Sequence, residues 1–226
     1  MKIHSKAVKI AIFSVVFLFF VLPPLFNTAE GKVIFKSWTF PLNHLILSLL
    51  SAFLLYINDA LTFHFNSLKN SISYKIIFPA VFSLCLLFCL AFLINGISIL
   101  VKHNPIQNEI ALPTDILSWT YFSLTFIFSA FYEEAIYRLY IPETLEDFFK
   151  LENKKIAKKC LNLIFEVATA LLFGFSHGYA GVFSIINAIC AHIILRLTYK
   201  KTRTIYASFI AHTIYNIIIF LIIAKV

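Results

Sequence analysis

Residues 116–141 read ILSWTYFSLTFIFSAFYEEAIYRLYI. Seventeen uncharged residues, Ile116 to Tyr132, lead straight into Glu133 and Glu134, and Arg138 follows one helical turn after Glu134. As a helix at about 1.5 Å per residue, the uncharged part alone covers roughly 25 Å of a hydrocarbon core about 30 Å thick. A strand of a membrane barrel would instead alternate apolar and polar residues over segments of about ten. The stretch reads as a membrane helix with three charges where charge is expensive, and the rest of the chain decides whether a bilayer surrounds it.

Composition says that it does. Of 226 residues, 60% are hydrophobic, 13% are charged, 26 are Phe, and the mean hydropathy is +0.87. Soluble domains carry about 25% charged residues, so this chain cannot clothe a water-facing surface. Secreted disulfide scaffolds, disordered chains and nucleic-acid-binding domains are excluded. Six further apolar runs accompany the quoted one, at 10–26, 42–65, 76–101, 161–177, 182–199 and 205–224. The expected fold is all-α: a polytopic transmembrane bundle of about seven spans, forming one membrane domain over 1–226 with no internal repeat.

Cytoplasmic loops collect Lys and Arg. With the N-terminus inside, only Lys32, Lys36, Lys102 and Lys225 among the 19 basic residues fall outside. The net charge of +8 then reflects topology and attraction to anionic lipid, with no nucleic-acid partner needed. A multi-pass protein of a cell membrane is expected, and richness in Phe, Ile, Lys and Tyr is compatible with an AT-rich bacterial genome, so the expected location is a bacterial inner membrane. Lys2, Lys6 and Lys9 precede the first run as in a signal peptide, but Phe26-Asn27-Thr28-Ala29 offers no convincing cleavage site, so an uncleaved anchor is expected. The connecting segment 143–159 is polar with an apolar side, as in a cytoplasmic surface helix or lid. Cys85, Cys89, Cys160 and Cys190 read as small buried apolar residues.

An ionisable pair inside a membrane is a functional hypothesis by default. Arg138 shares a helix face with Glu134 and can neutralise it, whereas Glu133 lies roughly 140° away from Arg138 around the helix and needs another partner. The candidates are His177 at the end of the fifth span, and His212 with Asn216 one turn apart in the seventh. A carboxylate, two imidazoles and a carboxamide supply a base, a proton shuttle and oxyanion donors. His192 and Glu166 lack such company and read as structural.

Glu133-Glu134-Ala135-Ile136-Tyr137-Arg138, Phe173-Gly174-Phe175-Ser176-His177 and His212-Thr213-Ile214-Tyr215-Asn216 resemble, in order and on separate spans, the pattern EExxxR, FxxxH, HxxxN. That pattern marks the CPBP family (CAAX prenyl protease and bacteriocin-processing, or Abi, intramembrane endopeptidases). The likeness runs from Ile116 to Ile223. Many members have Phe before the Arg and Gly after it, where this chain has Tyr137 and Leu139; these departures touch packing around the Arg, not reactive groups. The resemblance implies metal-independent, cofactor-free peptide hydrolysis of a membrane-associated peptide or protein. Carried over, Glu133 and His177 activate water, His212 and Asn216 stabilise the oxyanion, and Glu134 with Arg138 holds the first motif.

One distance does not close on these boundaries. Glu133 lies about 12 Å from the inner end of its span and His177 roughly 25 Å from the inner end of its own, with His212 and Asn216 at about 11 and 17 Å. A tilted or later-starting fifth span, or an inward helix over 143–159, is required. Other readings stand beside the peptidase. Gly174-Phe175-Ser176-His177-Gly178 fits the G-x-S-x-G elbow of serine hydrolases. Glu133, Glu134, His177 and His212 are possible zinc ligands. A carrier, or a non-enzymatic membrane partner such as a bacteriocin-immunity protein, would also use buried charge.

Overall fold

The computed structural model describes residues 6–26, 34–35, 37–57, 74–101, 109–149 and 155–224. Helix α1 (Lys6–Leu25) contains a π-turn at Phe17–Val21. It is followed by α2 (Leu42–Ile57), α3 (Tyr74–Leu100) and α4 (Ile116–Glu133). A π-turn over Glu134–Tyr140 then leads into α5 (Ile141–Phe148). Helices α6 (Lys155–Phe175), α7 (Val182–Thr202) and α8 (Ile205–Ile223) complete the bundle. The one departure from an all-α membrane bundle is a two-residue parallel bridge, β1 (Ile34–Phe35) against β2 (Glu109–Ile110), pairing Ile34 with Glu109.

Helices α1, α3, α7 and α8 are long and apolar enough to cross a bilayer. α3 is apolar on every side and exposes Phe78, Phe82 and Phe92, as a lipid-facing helix does. α2 is apolar but ends at Ile57; residues 58–65 of the expected second span lie outside the described residues, as do 150–154 of the connecting segment. Helix α3 packs on α7 and α8, α6 on α7, and α2 and α8 on α4. Gly174 is required where α6 meets α7: a Cβ there would collide with Ile189 Cγ1 and sit 3.2 Å from the Ile185 carbonyl oxygen.

Asp115 caps α4. Its Oδ1 accepts from Ser118 N at 2.8 Å while Ser118 Oγ accepts from Asp115 N at 3.1 Å, a reciprocal capping box. At the other end, the span expected to stop near Ile141 does not stop. The chain continues through the π-turn into α5, and Pro142 falls in the first turn of α5, where a missing N–H does least damage. The fifth helix does not start late either, since it is already formed at Lys155. From Glu133 to Phe148 the rod therefore runs about 22 Å, which sets the glutamates deeper than the shorter span allowed.

All seven residues of the Glu134–Tyr140 turn are buried. They form the centre of the main core, with Val16, Val21, Leu55, Phe173, Ala188 and Tyr199 around them. Several ion pairs gather at one end of the bundle: Lys9–Asp147 at 3.0 Å, Lys158–Glu146 at 3.5 Å and Lys200–Glu166 at 2.7 Å. Lys9, Lys158 and Lys200, three of the basic residues used to orient the chain, thus take acidic partners on α5 and α6.

Candidate active site

Glu133 closes α4 and Glu134 opens the π-turn, so adjacent carboxylates leave the backbone at a change of helical pitch. Glu134 and Arg138 are both fully buried, and Arg138 Nε lies 3.2 Å from Glu134 Oε1. The same oxygen receives His212 Nδ1 at 2.9 Å. A carboxylate oxygen accepts, so Nδ1 carries the hydrogen and Nε2 points away from Glu134. That second nitrogen lies 3.6 Å from Glu133 Oε2. One imidazole therefore spans the two glutamates, a partnership that the linear spacing of the motifs does not reveal.

Phe173 organises the second motif. Its carbonyl oxygen lies 2.9 Å from His177 Nδ1 and accepts from Ser176 Oγ at 2.7 Å. Because a carbonyl only accepts, this contact places the His177 hydrogen on Nδ1 and leaves Nε2 with a lone pair. The Phe173 ring is a platform: Arg138 Cζ sits 3.8 Å from its centroid, and the rings of His177 and Tyr137 lie 4.6 and 5.2 Å away. The F and the H of FxxxH thus belong together physically. The Phe backbone orients the His four residues on, and the Phe face carries the Arg of the first motif.

Glu133 is within electrostatic reach of His177. The structure therefore brings together Glu133, Glu134, Arg138, His177 and His212. Asn216 is half-buried one turn after His212, on the same helix, and its side chain makes no hydrogen bond among the described residues. Sequence reading passed over several neighbours. His44 from α2, Tyr137 and Tyr179 also lie within electrostatic reach of Glu133. Residues separated by about 90 positions carry no spacing signal that could have found His44.

Glu166 pairs with Arg196 at 2.8 Å and with Lys200 at 2.7 Å. His192 is buried with its ring 5.7 Å from that of Phe173. Cys85, Cys89 and Cys160 are exposed free thiols on apolar helices, which corrects the expectation of burial, because those faces are turned outward rather than into the bundle; Cys190 is half-buried. Glu134 Oε1 is engaged by Arg138 and His212, and among the described residues no three His, Cys, Asp or Glu side chains are grouped to hold an ion.

Residues 115–218 match the family described as type II CAAX prenyl endopeptidase, Rce1-like. No curated protein and no solved structure matches the chain.

Proposed function

We propose that this protein, whose residues 115–218 carry the domain of the CAAX protease family, is a metal-independent, glutamate-dependent intramembrane endopeptidase. The observation that carries this reading is the His212 imidazole held between Glu134 at 2.9 Å and Glu133 at 3.6 Å, with His177 beside them.

An oxygen atom about 2.8 Å from each of Glu133 Oε2 and His212 Nε2 fits beside the 3.6 Å edge between them. Glu133 takes the proton of the attacking water, aided by the free Nε2 of His177. The water oxygen bonds to the scissile carbonyl carbon, and the resulting oxyanion is met by His212 and by the Asn216 amide. His212 can donate to that oxyanion only as the doubly protonated ring, with Nδ1–H kept on Glu134 and Nε2–H turned to the oxygen; when the C–N bond breaks, the proton held by Glu133 passes to the leaving nitrogen. Burial away from bulk water strengthens each of these interactions. Glu134 and Arg138 react with nothing; they fix the His212 ring and the start of the π-turn. The substrate class that fits is a membrane-associated peptide, prenylated or bacteriocin-like, cut in a cell membrane with the basic end of the bundle facing the cytoplasm.

The test is Glu133→Gln in the purified full chain, with an internally quenched farnesylated peptide ending in a Cys-aliphatic-aliphatic-X sequence. Loss of general-base action lowers the rate by about 10²–10⁴-fold with an unchanged unfolding temperature. Undiminished cleavage overturns the reading. The zinc alternative is tested alongside: on the proposed mechanism a strong chelator leaves the rate unchanged.

A further inference from the structure

Arg196 lies outside all three motifs, yet it donates to a backbone carbonyl of the first motif, that of Arg138. In an α-helix the Arg138 carbonyl would receive the N–H of residue 142, and residue 142 is proline, which has none. Arg196 Nη1 donates to that carbonyl at 2.5 Å. The same arrangement occurs elsewhere in the chain. Pro24 stands four residues after Phe20, in the π-turn of α1, and the Phe20 carbonyl accepts from Tyr132 Oη at 2.7 Å. In both places a π-turn precedes proline, and a carbonyl whose i+4 residue is proline, Arg138 in one and Phe20 in the other, accepts from a side chain of another helix.

The Arg196 guanidinium has little freedom to move. It is buried, its Nε and Nη2 bind Glu166 at 3.0 and 2.8 Å, and Nη1 also reaches Glu143 at 3.2 Å. The planar fork spends one edge on Glu166 of α6 and its remaining nitrogen on α5 and the π-turn. From the Arg138 backbone the contacts continue through Arg138 Nε to Glu134 at 3.2 Å, then to His212 at 2.9 Å, then towards Glu133 at 3.6 Å. A displacement of about 1 Å in reacting groups can cost roughly 10²-fold in rate.

We propose that Arg196 is a positioning residue for the catalytic glutamates, holding their π-turn in place by the Arg138 carbonyl, whose i+4 residue, Pro142, has no N–H to offer. This rests on the peptidase reading above. Removing Arg196 does not strand Glu166, which keeps Lys200.

Full-length Arg196→Met, Arg196→Lys, Arg196→Met with Pro142→Ala, and the exposed Lys201→Met as control are compared on the quenched farnesylated peptide. The pH titration of the His212 ring is followed by NMR of histidine-labelled protein in lipid nanodiscs. Expected are a fall in kcat of about 10–100-fold for Arg196→Met at nearly constant KM, a smaller fall for Arg196→Lys, and a displaced His212 titration. Pro142→Ala restores the missing N–H and recovers most of both readouts. Lys201→Met changes neither. The proposal is overturned if Arg196→Met keeps kcat and the His212 titration of the wild type, or if folded Arg196→Met with Pro142→Ala shows no recovery. Should Arg196→Met fail to fold, Arg196→Lys with and without Pro142→Ala decides in the same way. Should Glu133→Gln cleave normally, the peptidase reading falls while the His212 titration still decides the role of Arg196.

Discussion

Arg138 lies over the Phe173 ring, its Cζ 3.8 Å from the centroid, while its Nε lies 3.2 Å from Glu134 Oε1. The first motif is thereby bound to the second through a ring face and to the third through a carboxylate, since Glu134 also holds His212. A guanidinium with no access to water is balanced by one charge and one π-system.

Breaking that balance on one side is costly. Arg138→Met leaves the Glu134 carboxylate fully buried beside His212 and Ser208, and loss of one partner of a buried pair typically destabilises by about 3–5 kcal/mol. Arg138→Met combined with Glu134→Gln removes both charges, and much of the loss returns. Denaturant or thermal unfolding in detergent reads both; equal destabilisation of the single and double variants contradicts the pairing.

Gly174→Ala forces α6 away from α7, because the added methyl meets Ile189 Cγ1 and the Ile185 carbonyl oxygen. Overpacking of this kind costs about 1–3 kcal/mol, and it shifts Phe173 and His177 with it, so cleavage falls too. Ile189→Ala in the same chain makes room and recovers part of the stability. A wild-type melting temperature for Gly174→Ala alone argues against so close an approach.

Ser176 separates the glutamate mechanism from a serine one. Its Oγ donates to the Phe173 carbonyl at 2.7 Å and lies 3.2 Å from His177 Nδ1, so Ser176→Ala removes these contacts, about 1 kcal/mol each, and leaves cleavage within roughly tenfold. Abolished cleavage, together with labelling of Ser176 by a serine-directed reagent in the wild type, restores the serine reading.

The N-terminus of α4 responds to acid. Hydrogen bonding, from the Ser118 backbone above all, holds the Asp115 carboxyl below its ordinary value. A carboxylate whose pKa is lower in the folded state contributes stability above its unfolded pKa and loses it as the pH falls through the folded value. Asp115→Asn therefore shows a shallower loss of stability between neutral and acidic pH than the wild type, measured by unfolding across that range. Parallel curves for the two proteins remove Asp115 from the account.

Much of the fold was legible because membrane helices announce themselves through uninterrupted apolar length. Helices α1, α3, α7 and α8 lie close to where the runs of residues 10–26, 76–101, 182–199 and 205–224 put them. The Glu134–Arg138 pair was legible too, since residues four apart share a helix face. The boundary after Ile141 was misplaced because proline normally ends a span, and nothing local says that a π-turn and a distant arginine allow the helix to continue.

The sequence by itself determined the class of the protein and singled out the side chains on which the proposed chemistry rests. Thirty charges in 226 residues admit no other home than a bilayer, and within one, Glu133, Glu134 and Arg138 stand out by their cost. Tertiary structure alone decided who meets whom. His212 lies between two glutamates 78 and 79 positions earlier in the chain, Phe173 receives Arg138 on its face, and Arg196 finds the Arg138 carbonyl, whose i+4 residue is Pro142. The reason is physical: residue cost and helix periodicity are properties of a single segment. Hydrogen-bond partners across helices depend on how segments pack, which no one segment contains.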